Sequence, residues 1–293
     1  MAAVRRVAVT RAVAAGVSGL LLAGVDVADW QAQVALTAEL AASDGPSATL
    51  SLARAYGIHP QVIEQYSDAE LAQQLETLSR ALAGRDPALP PPQAVGELGL
   101  DALTAERRAS LPRQTSIFRA QLALAREHDR PLVLHILRSH GEALRVLRHD
   151  GVPRCGGVVH SYSGSAELVR DYLALGLSLS FSGAVTLPQA QRLHSAVRAV
   201  PSERLLIETD APDQTPLTQR PAENEPAFLP AVCAAVAALR GDDPAQLAQI
   251  TAANARRLFR LPPHAQPTGA QPTGAQPNAD SAALATAART NLS

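Results

Sequence analysis

Short runs rich in Val, Ile and Leu alternate with longer segments of helical periodicity along most of this chain. Such alternation is typical of strand and helix units repeated around a parallel sheet. Most of the short runs are apolar along their whole length, as expected for strands covered on both faces. The seven candidate strands are residues 19–25, 51–58, 94–99, 131–136, 156–160, 177–181 and 204–209, and helical patterns occupy residues 114–127, 142–148, 166–175, 189–199 and 227–239.

The number of candidate strands favours a TIM-type barrel that lacks its first strand. The chain has 293 residues, which suits either two ordinary domains or one α/β barrel of about 250 residues. A closed barrel of this type has eight strands, one more than the sequence supplies. An open doubly wound sheet would tolerate an odd count, but the sequence has no glycine-rich phosphate loop to support one. We therefore predict an α/β fold, with a (β/α) barrel over residues 1–262.

The two ends of the chain depart from the alternating pattern. After Leu261 the sequence repeats Ala-Gln-Pro-Thr-Gly and becomes rich in Ser, Ala and Thr, so residues 263–293 are predicted to be a disordered low-complexity tail. The beginning of the chain is basic and then apolar, like a signal or transit peptide, but Arg11 interrupts the apolar stretch. We predict instead a helix over residues 3–15, a turn at Gly16 and then a buried strand. The apolar stretch is too short to span a membrane.

Charge and cysteine content narrow the class of protein further. The formal net charge is −1, which removes the bulk attraction that dominates the binding of strongly basic proteins to DNA or to anionic lipid. An anionic substrate must therefore be held by local contacts. Cys155 and Cys233 lie far apart in sequence and form no CxxC motif, so the sequence suggests neither a disulfide framework nor a zinc ribbon.

Several candidate strands end in a side chain that can bind a metal ion. Glu97, His135, His160 and Asp210 each stand at or just after the end of a strand. The carboxyl ends of barrel strands converge on one pocket, so residues far apart in sequence can surround a single ion. Two imidazoles and two carboxylates suit Zn²⁺, Mn²⁺ or Mg²⁺. Any one of these residues alone could simply be hydrogen-bonded to the backbone, but four of them buried without partners would cost several kcal/mol.

Other histidines are assigned by their position in the pattern. His59 ends the second strand and is a candidate metal ligand, an outer hydrogen-bond donor or an ordinary loop residue. Arg138 and His140 follow His135 closely and are candidates for substrate binding or for support of the metal ligands. The remaining histidines are predicted to face solvent, and these are His128, His149, His194 and His264.

Six blocks of sequence, in this order, resemble the TatD family of metal-dependent deoxyribonucleases, from about Val7 to Leu261. They are Gly57-Ile58-His59-Pro60, Val95-Gly96-Glu97-Leu98-Gly99-Leu100-Asp101, His160-Ser161-Tyr162-Ser163-Gly164-Ser165, Glu208-Thr209-Asp210-Ala211-Pro212, Asn224-Glu225-Pro226 and Thr251-Ala252-Ala253-Asn254-Ala255. The resemblance implies a TIM-type barrel that hydrolyses phosphodiester bonds with one or two divalent ions.

The same resemblance implies a role for each strand-end residue. Glu97 would bridge two ions, His135 and His160 would complete the shell of one, and Asp210 would hold the other and accept a proton from the attacking water. Glu97 and Asp210 are therefore the catalytic candidates. A divalent metal makes water a usable nucleophile near neutral pH and stabilises the attacking and leaving oxygens.

The sequence departs from the family pattern in two places. The family opens with a strand ending in His-x-His, which supplies two ligands to the ion shared with Asp210, and this sequence has no His-x-His. Either the true start lies upstream of Met1, which we favour, or half of the metal site has been lost. In the second place, Ile136 and Leu137 follow His135 where many relatives have Ser and Arg, although Arg138 and His140 match a common variant of the block.

Three functions remain open at this point. The leading one is a metal-dependent phosphodiesterase acting on DNA or on a small phosphodiester. A barrel hydrolase of a small ester or amide is the second, because similar sites serve that chemistry and fold does not fix function. A non-catalytic remnant with an incomplete metal site is the third. We expect a cytoplasmic protein with no membrane association and no obligate protein partner.

Overall fold

The computed structural model describes residues 2–42 and 50–261. Seven parallel strands form its sheet, and each strand pairs with its neighbours in chain order. The strands are β1 (Gly19–Ala23), β2 (Ser51–Tyr56), β3 (Ala94–Asp101), β4 (Leu132–Leu137), β5 (Gly157–Val159), β6 (Leu177–Phe181) and β7 (Leu205–Ile207). The helices are α1 (Ala2–Ala14), α2 (Val27–Ala41), α3 (Asp68–Leu82), α4 (Ala105–Ala109), α5 (Leu111–Glu127), α6 (His140–Asp150), α7 (Ala166–Ala174), α8 (Gln191–Ala199), α9 (Leu229–Arg240) and α10 (Pro244–Phe259).

The sheet curls into a barrel that is open on one side. Among residues 2–42 and 50–261, no strand pairs with the outer edge of β1 or with that of β7. The prediction of a buried strand here is wrong, because all five residues of β1 are only partly buried, as befits a strand beside the gap. The predicted TIM-type α/β fold is confirmed, and its open side lies where the strand count places the missing strand.

The two faces of the sheet belong to two separate hydrophobic clusters. Alternate residues of a strand point to opposite faces. Thus Leu132, Leu134 and Ile136 of β4 pack in the large cluster shared with the helices, whereas Val133 lies in a small inner cluster. The buried members of the inner cluster come from β2, β3, β4, β5, β7 and the end of α10, and they are Ala55, Ala94, Val133, Val158, Leu206 and Phe259.

Phe259 fills the inner cluster from the end of α10. Its ring is 5% exposed and packs among strand residues inside the barrel. Because truncation of a buried Phe combines lost burial with a cavity, Phe259→Ala is expected to lower the free energy of unfolding by about 3–5 kcal/mol. Urea denaturation followed by circular dichroism measures this loss, with the exposed Gln249→Ala as control. A loss below about 1 kcal/mol would show that the ring does not fill the barrel interior.

Several helices begin and end at residues that stabilise helix termini. Ser67 caps α3, and its hydroxyl and backbone N–H are reciprocally bonded with Glu70 in a capping box. Asp243 caps α10 and is followed by proline at the first helical position. Gly241 ends α9 in the left-handed conformation, φ 75°. These local signals set the lengths of the helices that cover the sheet.

Some expectations about individual segments need correction or lie outside the described residues. The prediction that His194 faces solvent is wrong, because its ring is buried and Nε2 lies 2.9 Å from the carbonyl oxygen of Val185. His194 shares the inner face of α8 with Val197, three residues further on. His264 and residues 263–293, the predicted tail, lie outside the described residues. Within the described ranges, no helix combines the length and the apolar character that a bilayer span requires.

Candidate metal centre

The polar residues at the strand ends meet at the carboxyl edge of the sheet. Glu97 lies in β3, where the register with β4 shifts between Gly96 and Leu98. His135 lies in β4, two residues after the inner-cluster residue Val133 and therefore on the same face. The inner face thus changes from apolar to polar toward the carboxyl ends of the strands.

Glycine and two buried glutamines hold these strand ends in place. At Gly99, with φ 142°, an added Cβ would lie 2.1 Å from the carbonyl oxygen of His135, so only glycine lets β3 approach β4 here. The side chain of Gln114 in α5 accepts from the backbone N–H of Asp101 and donates to its carbonyl oxygen, at 2.8 and 3.0 Å. Gln121 does the same for Ile58 at 2.7 and 3.1 Å. These amides satisfy backbone groups where strand pairing stops.

One oxygen of Glu97 is at the centre of the cluster. Its Oε2 lies 2.9 Å from Nε2 of His160, 3.2 Å from Nε2 of His59 and 3.8 Å from Nδ1 of His135. Nδ1 of His135 and Nε2 of His160 are themselves 3.2 Å apart. Asp210 joins the same cluster, since ligand atoms of Glu97, His160 and Asp210 lie within 4.8 Å of one another.

Outer carboxylates determine which nitrogen of His135 and of His160 faces the centre. Nε2 of His135 lies 3.3 Å from Oδ2 of the fully buried Asp101, and Nδ1 of His160 lies 3.6 Å from Oε1 of Glu208. In a neutral imidazole the nitrogen beside a carboxylate carries the proton and donates a hydrogen bond to it, so the opposite nitrogen keeps its lone pair. Metal-binding histidines are held in this way, by an acceptor on the far side of the ring. Both inner nitrogens therefore suit a cation next to Glu97.

His59 has the opposite arrangement. Its Nδ1 accepts from the backbone N–H of Gln61 at 3.1 Å, so the proton of the neutral ring lies on Nε2, which faces Glu97. With its proton there, His59 donates to Glu97 instead of offering a lone pair. Spacing alone also groups His59 with Glu97 and His135 as possible ligands, but the hydrogen bond to Gln61 favours the donor role.

The charges of the cluster favour a positively charged group beside Glu97. Burial raises the pKa of Glu97, but the neighbouring His160 and His59 more than offset this and hold the pKa well below its usual value. The pKa of His160 is correspondingly raised well above its ordinary value, against burial, by Glu97 and Glu208. Burial lowers the pKa of His135 to about 4, so that ring is neutral. In the metal-free site the two carboxylates therefore hold a protonated His160 between them, and a divalent metal bound beside the neutral His135 would displace the proton on Nε2 of His160.

Asp210 lies in a more crowded carboxylate environment. Burial, together with the charges of Glu208 and Glu97, raises its pKa to about 6, while His160 and a hydrogen bond from Gln214 act in the opposite direction. A carboxylate poised near neutral pH is suited to accept a proton during catalysis. The same crowding makes its ionised form costly until a cation is bound.

This cost predicts a pH-dependent stability. In the folded chain the pKa of Asp210 is about 6 against an ordinary 3.8, so protonation favours folding. That contribution is present below pH 3.8 and is lost as the pH rises through 6. In chelator at pH 8, Asp210→Asn should therefore be more stable than the wild type by about 3 kcal/mol. This difference in the free energy of unfolding should shrink below pH 6 and nearly vanish at pH 4. Denaturation curves that give the same difference at pH 8 and at pH 4 would contradict the prediction.

Two predicted residues lie apart from the metal cluster. The side chain of Arg138 is exposed, directly after β4, in a residue of left-handed conformation. His140 packs instead against two tyrosines, with Nδ1 2.8 Å from the hydroxyl of Tyr172 and its ring 5.6 Å from that of Tyr162. Burial and Arg192 lower the pKa of His140 to about 4. Of the seven residues predicted for the site, the structure brings together Glu97, His135, His160, Asp210 and His59.

Sequence reasoning gave no role to the residues that orient the ligands. Asp101, Glu208 and Gln61 all contact a histidine of the cluster, as described above. Asp101 and Glu208 stand inside the family-like blocks at the ends of β3 and β7, and this position was a usable signal. Gln61 acts through its backbone N–H, which no residue pattern reveals.

Fold and site together define a parallel α/β barrel of TIM type with a candidate divalent-metal centre at the carboxyl ends of its strands. Over residues 2–260 the sequence matches the profile of the family described as TatD related DNase. The chain belongs to this family.

Named relatives and solved structures agree with that assignment. The chain is 37% identical to the 3'-5' ssDNA/RNA exonuclease TatD of Erwinia billingiae, over 87% of this chain and 92% of the relative. It is 36% identical to the uncharacterized metal-dependent hydrolase YabD of Bacillus subtilis, over 57% of this chain and 65% of the relative. The crystal structure of YJJV, a TatD homologue from Escherichia coli K12, superposes with a TM-score of 0.76 at 30% identity, covering 88% of this chain and 92% of that one.

Proposed function

We propose that this protein is a metal-dependent phosphodiesterase that cleaves single-stranded DNA. The observation that carries the proposal is the convergence of three ligand atoms on one point, namely Oε2 of Glu97, Nδ1 of His135 and Nε2 of His160. Membership in the TatD related DNase family, and the relative named as a single-strand exonuclease, support DNA as the substrate.

These three residues would hold one divalent ion, and Glu97 with Asp210 would hold a second. The donor set of imidazole nitrogens and carboxylate oxygens fits Mn²⁺ or Zn²⁺ at the first position and Mg²⁺ or Mn²⁺ at the second. When bound, such ions would lower the pKa of water and neutralise charge on the phosphoryl oxygens.

The chain's own residues supply the remaining functions. Asp101 and Glu208 orient the two imidazoles, and His59 donates to Glu97. Asp210, with its pKa near 6, accepts the proton of the attacking water. Arg138 is exposed beside the strand ends and contacts a phosphate of the bound strand, supplying the local attraction that a nearly neutral chain needs. His140 supports this region through Tyr172.

The decisive assay uses a single-stranded DNA oligonucleotide that carries a fluorophore at its 5' end. With Mg²⁺ or Mn²⁺ the wild type should shorten it progressively, and chelator should stop the reaction. His135→Ala, which removes a proposed ligand, should lower the cleavage rate, whereas its matched control, the exposed His149→Ala, should not. Cleavage of a small ester or amide in place of any nucleic acid would overturn the proposal.

A second form of the chain tests the alternative of a non-catalytic remnant. This form carries an added amino-terminal strand ending in His-x-His, designed to pair with the free edge of β1 or β7. Activity of the extended form alone would show that this strand is catalytic. If neither form hydrolyses a phosphodiester although both bind Mn²⁺, the remnant is the better description.

The proposal extends to location and organisation. We place the protein in the cytoplasm, acting without an obligate protein partner. Both cysteines, Cys155 and Cys233, are free thiols, and free thiols are typical of a reducing compartment. The catalytic unit in this proposal is the barrel of residues 1–262, and residues 263–293 take no part in catalysis.

A further inference from the structure

We propose that Gln214 is a positioning residue that fixes the orientation of the Asp210 carboxylate. This inference rests on the proposed function, because it concerns the residue assigned there to hold a cation and accept a proton. Neither the strand pattern nor the family-like blocks give Gln214 any role, since it lies beyond the block that ends at Pro212.

The side-chain amide of Gln214 uses all its donor capacity at the site. Nε2 donates to Oδ2 of Asp210 and, at 2.5 Å, to Oγ of Ser161. Oε1 accepts from Oγ of Ser182 at 2.6 Å, and the two serine hydroxyls lie 3.2 Å apart. A carboxylate can only accept, so Asp210 requires the NH₂ group on its side and thereby fixes the orientation of the amide.

The contacts link the ends of three strands. Ser161 follows β5, Ser182 follows β6 and Asp210 follows β7. One amide therefore ties Asp210 to the ends of β5 and β6, and the sheet holds β5, β6 and β7 in register. Side chains anchored on strand ends are positioned more accurately than side chains on a free loop.

The backbone around Gln214 is held by independent contacts. A Cβ added at Gly183 would lie 1.9 Å from the carbonyl oxygen of Gln214, so the loop packs directly on that glycine. Asn224 donates from Nδ2 to the carbonyl oxygens of Thr209 and Asp213 at 2.6 and 2.5 Å, bracing the segment on both sides of Asp210. The backbone position of Gln214 is thus set by packing that does not involve the metal cluster.

The consequence is that the two oxygens of Asp210 are made different. Oδ2 is bound by Gln214, whereas Oδ1 is turned toward His160, 3.9 Å from its Nδ1. Glu208 and Glu97 lie nearby and repel the carboxylate. Without the Gln214 donor, Asp210 would be free to rotate away from these charges, and the oxygen that faces His160 would no longer be defined.

Gln214→Met tests this role, because methionine has a similar length and no hydrogen-bond donor. We expect Mn²⁺ binding at the second position, the one assigned to Glu97 and Asp210, to fall about tenfold in calorimetry, the usual effect of removing an outer hydrogen-bond partner. On single-stranded DNA, kcat should fall by a similar factor, with KM changed less than about twofold. Gln219→Met is the matched control, because the side chain of Gln219 makes no hydrogen bond to the residues that the structure describes.

A double-mutant cycle separates positioning from simple support of the loop. If Gln214 acts through Asp210, Gln214→Met should have no further effect on Mn²⁺ affinity in an Asp210→Ala background. The same loss in both backgrounds, or a loss below twofold in the wild type, would overturn the inference. Ser182→Ala is the second variant. It removes an anchor but leaves the Gln214 donor, so its effect should be smaller than that of Gln214→Met, and a larger effect would also overturn the inference.

Failure of this inference can be told apart from failure of the proposed function. A wild type that binds Mn²⁺ but cleaves no nucleic acid would refute the proposed function. The calorimetric double-mutant cycle would still test the positioning role of Gln214 in that case. A wild type that binds no Mn²⁺ would refute both. Wild-type activity that Gln214→Met leaves unchanged would refute the role of Gln214 alone.

Discussion

Glu97→Gln is expected to remove metal binding at the first position and to reduce phosphodiesterase activity by more than about 100-fold. Removing an outer hydrogen-bond partner of a metal ligand lowers metal affinity or activity by at most about 100-fold. Glu97 should have a larger effect, because it is a proposed ligand at the centre of the cluster. Its Oε2 contacts three imidazoles. Glutamine keeps the shape of the side chain but removes the negative charge that offsets a cation, so the metal affinity of both positions should fall. Metal content after gel filtration and calorimetry with Mn²⁺ measure the effect.

Two other variants show whether the loss of metal is specific to Glu97. Glu127→Gln changes an exposed glutamate at the end of α5 and should bind metal like the wild type. His59→Ala removes only a hydrogen-bond donor to Glu97, so it should lower the metal content of the protein less than Glu97→Ala does. Equal losses of metal in His59→Ala and Glu97→Ala would show that His59 is a ligand, contrary to the direction of its hydrogen bond with Gln61.

Asp101→Ala is expected to affect both stability and metal binding. Asp101 is fully buried, and favourable contacts hold its pKa below its ordinary value despite the opposing effect of burial. It accepts from Nε2 of His135, Nε2 of Gln61, Nη1 of Arg107 and the backbone N–H of Leu103. Removing one partner of a buried charged group costs about 3–5 kcal/mol. The loss of the acceptor for His135 should also weaken metal binding about 10–100-fold.

Denaturation in chelator and Mn²⁺ calorimetry separate the two effects of Asp101→Ala. Asp101→Asn keeps an acceptor oxygen for His135 but loses the ion pair with Arg107, so it should lie between the wild type and Asp101→Ala. Asp171→Ala is the control, because Asp171 forms an exposed pair with Arg148 that should contribute no more than about 1 kcal/mol. If Asp101→Ala matched this control in stability and bound Mn²⁺ normally, Asp101 would have no orienting role.

Much of the fold could be read from the sequence because it depends on local patterns. All seven strands lie within or close to the apolar runs, since strands covered on both faces must be apolar throughout. Agreement was poorest where contacts from elsewhere decide the outcome. β3 continues to Asp101, two residues beyond its apolar run, because Gln114 in α5 satisfies the backbone there. His194 is buried because α8 packs that face against the barrel.

The sequence by itself determined the barrel class and which residue types stand at the strand ends, because both follow from periodicity and from the convergence of parallel strands. Only the tertiary structure decided the proton on each imidazole, the crowding that raises the pKa of Asp210 and the amide of Gln214 beside it. Several of those properties depend on hydrogen bonds between residues far apart in sequence, such as His135 with His160, 25 residues apart, and Ser161 with Gln214, 53 residues apart. A pattern of residues cannot express them, because a hydrogen bond depends on distances of a few tenths of an ångström that only packing sets.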